Sequence, residues 1–216
     1  MLAIFAHSDD EAFGPSGSMI KWIENNDYII HLVCVTDGAM GKKHTDGIDL
    51  ATMRRAELEH SAAVIGIETI YFLHFEDGSL CNNNYHELEK SLENILDQHS
   101  PDTILTFEPR GISGHLDHIA VTSVTTKLFN KKSYAKTLLY HVMHADLRKK
   151  FSDYFVFMPP GYTSEQIDMT INIEDVWEQK KEAILKHVSQ KSDSSRMLGF
   201  IHDLPKEEHF LELKKV

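Results

Sequence analysis

Short apolar runs alternate along the chain with longer stretches in which apolar residues recur every three or four positions. The first run, 2–6 (Leu-Ala-Ile-Phe-Ala), is broken by His7. After a Gly/Pro/Ser loop at 14–18, Met19, Ile20, Trp22 and Ile23 set a helical face. The run 28–36 is rich in β-branched residues and closes on Asp37-Gly38, which predicts a strand ending in a turn. Leu50–Ile65 reads as a helix with apolar or small residues at Met53, Ala56, Ala63 and Val64. Thr69–Phe75 reads as a strand that ends at Asp77-Gly78. A helix is predicted over 85–96, where Leu88, Leu92, Ile95 and Leu96 share a face. Pro101 precedes an apolar run at Thr103–Phe107; a helix at 119–129, a strand at Thr137–Val142 and a helix at 175–187 follow. The runs 151–158 and 169–173 are read as further strands, antiparallel pairing being compatible with both.

Strands separated by helices of this length predict βαβ units, and hence an α/β layer fold with a mostly parallel sheet covered on both faces. The 216 residues suit a single domain, 1–216, with no repeat, linker or low-complexity segment. In such folds ligands gather at the carboxyl ends of the strands, near the point where strand order reverses. The unusual polar residues fall there. The segment 7–11 follows the first strand, Asp37 the second, Glu76-Asp77 the third and Glu108 the fourth, with His115 and His118 close behind.

Composition narrows the function. Hydrophobic residues at 42% and charged residues at 25% are ordinary for a soluble globular protein. A formal net charge of -11, with no Lys/Arg block able to track a phosphate backbone, argues against nucleic acid as a partner. No basic leader with an apolar core and no run of membrane-spanning length is found, so a cytoplasmic protein with no membrane partner is expected. Cys34 and Cys81 are too few and too isolated for a disulfide framework or a thiolate cage, and both are expected to be buried small residues. The absence of H-E-x-x-H weighs against a thermolysin-like peptidase. The absence of G-x-x-x-x-G-K-S/T and of a strand-linked G-x-G-x-x-G weighs against a nucleotide site.

His7, Asp9, Asp10 and Glu11 place one imidazole and three carboxylates directly after a strand, a costly arrangement unless a cation is near or the groups are solvated. His115 and His118 stand three apart at a loop-to-helix junction. Each element alone has a plain structural explanation, a helix cap in one case and a polar helix face in the other. Their convergence at two strand ends carries a metal reading. Mixed imidazole and carboxylate donors suit zinc, although another divalent transition ion is compatible with the same set.

Ala6-His7-Ser8-Asp9-Asp10-Glu11 resembles the AHPDDE signature of the PIG-L (LmbE-like) deacetylases, and Gly114-His115-Leu116-Asp117-His118 resembles their GHPDH signature. The segments 36–41, 54–67, 74–80 and 180–190 also match family patterns. The resemblance implies a three-layer Rossmann-like fold and zinc-dependent removal of acetate from an N-acetylglucosamine derivative. It implies His7, Asp10 and His118 as zinc ligands, Asp9 as general base, and His115 as the residue that stabilises the oxyanion or protonates the leaving amine. Arg54 matches a substrate-contacting arginine, and Asp77 is expected in the same pocket. The partner implied is a small acetylamino sugar or glycoside; a homo-oligomer is expected from the resemblance alone.

Other readings stand beside these. Arg54 also reads as a helix-surface residue pairing with Glu57 or Glu59, and Asp77, like Asp37, as an ordinary Asp-Gly turn former. His187, near a helix end, is read as favouring the helix dipole or ordering a loop beside the site, and is not taken as a ligand. Ser8 and Leu116 stand where the signatures usually carry proline, and Ala39 and Ser113 where glutamate and tyrosine often occur. A zinc hydrolase of a non-sugar amide and a non-catalytic sugar-binding protein are the alternatives.

Overall fold

The computed structural model describes residues 1–40, 49–151 and 157–215. Its central strands are apolar on both faces, and this builds two cores. In β1 (Leu2–Phe5), Leu2 and Ile4 enter one core while Ala3 and Phe5 enter the other. In β2 (His31–Thr36), Val33 and Val35 join the first pair, Leu32 and Cys34 the second. A period of two with both sets apolar marks strands sandwiched between helix layers.

Those layers come from α2 (Ser16–Glu24) and α3 (Leu50–Ile65) on one side, which bury Met19, Ile20, Leu58 and Ile65. On the other side lie α4 (Tyr85–His99) and α6 (Leu116–Lys131), which bury Leu88, Leu92, Val121 and Leu128. Helix α3 starts at Asp49, whose carboxylate accepts the Thr52 N–H at 3.2 Å, and stops at Gly66 with φ 91°. A side chain there would favour continuing or straining the helix, whereas glycine turns the chain at no steric cost.

The remaining elements are α1 (Asp10–Phe13), β3 (Thr69–Phe75), β4 (Thr103–Phe107), α5 (Gly111–Gly114), β5 (Thr137–Val142), α7 (Ala145–Arg148), β6 (Met169–Asn172), α8 (Trp177–Lys186), α9 (Lys191–Ile201) and β7 (Glu207–Lys214). The sheet order is β3-β2-β1-β4-β5-β7-β6. Strands β1 to β5 pair in parallel, and β7 runs antiparallel to both β5 and β6. The chain winds outward from β1 through β2 to β3, then returns to lay β4 on the other side of β1. Strand order therefore reverses between β1 and β4, and their carboxyl ends open a crevice. The three-layer α/β architecture with a mostly parallel sheet is the one expected.

One local expectation changes, at Cys81, and one strand, β7, was not foreseen. The expected strand at 169–173 is β6, but most of the run 151–158 lies outside the described residues. Cys34 is buried, whereas Cys81 is exposed, because it opens the turn before α4 in which Asn84 Oδ1 accepts its N–H at 2.9 Å. Strand β7 has no counterpart in the apolar pattern, since one of its buried side chains is Glu208. Among the described residues, no helix is long and apolar enough to cross a membrane.

Glu208 earns its place by charge. It accepts the N–H groups of Gly17 and Ser18 at 2.9 and 2.6 Å and the Lys180 ammonium at 2.5 Å, so β7, α2 and α8 meet on one carboxylate. Burial alone would raise the carboxyl's pKa, but Lys180 and Ser18 outweigh it and hold it below the ordinary 4.5. Glu208→Ala leaves the Lys180 ammonium, only 3% exposed, with no carboxylate partner and only the Gly14 carbonyl as acceptor. The expected loss is about 3–5 kcal/mol in urea unfolding at neutral pH. A depressed carboxylate contributes its stability above its unfolded value and loses it as pH falls through its folded one. The difference between wild type and Glu208→Ala should therefore narrow on acidification.

Candidate metal centre

The loop after β1 carries His7 and Asp9, and Asp10 opens α1 directly behind them. The loop after β4 is shaped by Glu108, which is buried and accepts the N–H groups of Arg110 and Ile112 at 2.9 and 3.1 Å and the Tyr162 hydroxyl at 3.0 Å. Gly111 sits there at φ 70°, and a Cβ at this position would lie 2.9 Å from that of His118. Glycine thus lets α6 start close enough to bring His118 over the end of β1.

His7 Nδ1, His118 Nε2 and the Asp10 carboxylate converge. The two nitrogens are 3.1 Å apart, and they lie 3.5 and 3.3 Å from Asp10 oxygens. Donors about 2.0–2.1 Å from a tetrahedral ion stand about 3.3 Å from one another. The other nitrogen of each ring is committed elsewhere. His7 Nε2 faces Asp77 and Asp117 oxygens, both at 3.1 Å, and His118 Nδ1 donates to the Gly111 carbonyl at 3.1 Å. In neutral rings those nitrogens carry the protons, so two lone pairs and a carboxylate face one another. They repel unless a proton or a cation lies among them.

The local field agrees. Burial favours neutral His7, yet Asp10, Asp117 and Asp77 outweigh it and raise its pKa well above 6.5. Burial would raise Asp10, yet His118 and His7 hold it well below 3.8. Positive charge is favoured at this point, and the residues fit a divalent ion. Two wider groupings share His7: the ring nitrogens of His7, His115 and His118, and a set of His7, Asp77, His115 and Asp117, each within 4.8 Å. Asp77 and Asp117 are better placed to orient the His7 ring. Asp77 also accepts the Met40 N–H at 2.9 Å, and Asp117 the N–H groups of Gly78 and Leu80 at 2.7 and 3.1 Å.

His115 caps α6, its Nδ1 accepting the Asp117 N–H at 3.1 Å. The proton of the neutral ring is therefore on Nε2. Burial and the positive fields of His7 and His118 push the pKa of His115 down to about 4. Asp9 is next to the donor trio, with backbone φ 139°. Burial pushes its carboxyl up to about 6, against the opposing Arg54 charge.

The seven residues to which the resemblance assigns a site role line one cavity of about 730 Å³: His7, Asp9, Asp10, Arg54, Asp77, His115 and His118. The C-terminal third lines the same cavity with Trp177, Met197, Leu204 and His209, among others. Arg54 is not a helix-surface residue pairing with Glu57 or Glu59. It is 4% exposed, and its guanidinium donates to the Gly38 carbonyl at 2.9 Å and the Ser8 carbonyl at 2.5 Å while lying 3.0 Å from Asp9 Oδ2. This grip holds the backbone at Ser8, where proline would have stiffened it. Leu116 occupies the first turn of α6, a position that also suits proline.

Several residues around the site carry no sequence-based assignment. Asp117 lies inside the second signature, next to ligand candidate His118, and its neighbourhood was its only signal. Glu11 accepts from Ser61 and His187, both at 2.7 Å. Glu57 accepts the N–H and hydroxyl of Ser189 at 2.6 and 2.7 Å. Arg54, Glu57 and Ser61 recur at helical spacing and form a polar stripe on the buried side of α3. Set among charged neighbours, that stripe reads in sequence as a solvent face.

The sequence profile of PIG-L, described as GlcNAc-PI de-N-acetylase, matches residues 2–129. A 1D-myo-inositol 2-acetamido-2-deoxy-alpha-D-glucopyranoside deacetylase of Mycobacterium sp. (strain KMS) is 24% identical, over 89% of this chain and 74% of its own. The N,N'-diacetylchitobiose deacetylase of Pyrococcus horikoshii superposes with a TM-score of 0.74 at 21% identity, covering 99% of this chain and 83% of that one. The 4-carboxy-2-hydroxymuconate hydratase GalB of Pseudomonas putida KT2440 superposes with a TM-score of 0.72 at 15% identity, covering 100% of this chain and 96% of that one. These two structures share the fold while their names differ in chemistry, so the reaction has to be argued from the site.

Proposed function

The chain belongs to the PIG-L family, and from that premise we propose that it is a zinc-dependent N-deacetylase acting on an acetylamino sugar, an N-acetylglucosamine derivative. The observation that carries the reading is the meeting of His7 Nδ1, His118 Nε2 and the Asp10 carboxylate at tetrahedral spacing, with Asp9 beside them. Held by His7, Asp10 and His118, zinc would acidify a water and polarise the acetyl carbonyl.

The side chains then divide the proton work. Asp9, pushed up to about 6, accepts the proton of the water that attacks the acetyl carbon. His115 is neutral at pH 7, and its Nε2–H donates to the carbonyl oxygen as negative charge gathers there. A neutral imidazole cannot also serve as the acid. Asp9, now protonated, therefore returns the proton to the sugar nitrogen as the C–N bond breaks, and acetate and the free amine leave. Arg54 keeps the Asp9 carboxylate in place, and Asp77 and Asp117 keep the His7 ring turned so that Nδ1 faces His118 and Asp10, where it would hold the metal. The residues 1–216 act as one domain in this reading.

The test is acetate release from N-acetylglucosamine, its glycosides and non-sugar acetamides, before and after chelation. Acetate from the sugars, abolished by chelator and restored by zinc, is expected. Release from non-sugar amides alone would replace the sugar with another amide substrate. No release from any of them, with sugar still bound, would leave a binding protein.

A further inference from the structure

Glu11 and His187 take no part in the chemistry above, yet they form a fully buried pair beside it, 1% and 0% exposed. The His187 Nε2–H donates to Glu11 Oε1 at 2.7 Å, and the Ser61 hydroxyl donates to the same oxygen at 2.7 Å. The other oxygen, Oε2, accepts the backbone N–H of Asp9 at 3.0 Å. Asp9 stands at φ 139°, ψ -20°, a conformation that a residue with a side chain rarely adopts and that persists only where surrounding contacts enforce it. Its carboxylate is steadied by Arg54, but Glu11 is what grips its peptide nitrogen.

His187 is itself anchored. The chain leaves α8 at this residue, with φ -80° and ψ 67°, and two residues on Ser189 is clamped by Glu57 of α3 through its N–H and hydroxyl. The ring also packs 6.3 Å from that of Phe13, at the end of α1. One chain of contacts thus runs from α3 and the end of α8, through His187 and Glu11, to the peptide of Asp9.

We propose that His187 is a positioning residue: through Glu11 it fixes the strained backbone of Asp9, and so aims the Asp9 carboxylate at the attacking water. The proposal rests on the reading of Asp9 as the general base. The zinc-loaded full-length protein tests it, with N-acetylglucosamine as substrate. His187→Ala should lower kcat by about 100-fold, the scale on which a small misplacement of a reacting group costs rate. KM and bound zinc should stay as in wild type. His187→Gln, whose amide can donate from nearly the same place, should return most of the rate.

Hydrogen exchange of the Asp9 amide, followed by NMR, reads the same contact without any turnover. Exchange should quicken in His187→Ala and recover in His187→Gln. Unchanged kcat and unchanged exchange in a folded His187→Ala protein overturn the proposal, as does a loss of zinc that alone accounts for the loss of rate. If His187→Ala does not fold, Ser61→Ala decides, because it removes the other donor to Glu11 at the cost of one oxygen atom. Faster Asp9 exchange with reduced kcat supports the proposal, and wild-type values for both overturn it. Should wild type release acetate from no acetylamino sugar, the deacetylase reading fails, and Asp9 amide exchange alone then decides for or against positioning.

Discussion

Asp9→Asn is expected to keep its zinc and lose about 10²- to 10⁴-fold in kcat, the range that a positioned general base contributes. Asparagine preserves the shape of the side chain and can still accept from Arg54, so the loop should hold. It cannot take a proton from water. The Arg54 guanidinium also retains the carbonyls of Ser8 and Gly38, which limits the damage of losing a charged partner. Acetate release at saturating substrate measures kcat, and atomic emission measures zinc in the same preparation. A variant with full zinc and turnover within a few-fold of wild type would remove Asp9 from the chemistry.

His118→Ala is the second large effect, and it strikes the metal first. Only His7 Nδ1 and the Asp10 carboxylate would remain of the trio, and the deleted ring leaves a gap against Phe107, on which it stacks at 4.3 Å. Removing an outer hydrogen-bond partner of a ligand typically costs about 10- to 100-fold in metal affinity, and removing a ligand should exceed that. Zinc content after dialysis should fall well below stoichiometric, with activity lost in parallel. Stoichiometric zinc in His118→Ala would sink the ligand assignment.

The strands β1 to β5 were legible because each is an apolar run that feeds two cores, and helices such as α4 because their apolar residues share one face. Strand β7 was not, because it buries Glu208, whose partner Lys180 lies 28 positions away. A local pattern has no access to a charge pair closed by the fold. The site shows the same limit. His7, Asp9, Asp10, His115 and His118 stand in two short signatures whose side chains meet close to where the sequence puts them. Arg54 was recognisable as a candidate, but its engagement with Ser8, Asp9 and Gly38 depends on how α3 lies under the loops. Glu11 and His187 are separated by 176 positions and become a pair only when the end of α8 packs beside α1.

The lining of the cavity draws on two stretches of the chain. The side chains assigned to hydrolysis all fall within the first 129 residues, whereas Trp177, Met197, Leu204 and His209 lie beyond the segment that the family profile matches. Substitutions at these four positions are expected to recast what the cavity admits while leaving His7, Asp9, Asp10, His115 and His118 in place. A scaffold arranged in this way can diversify its clientele without reinventing its reaction.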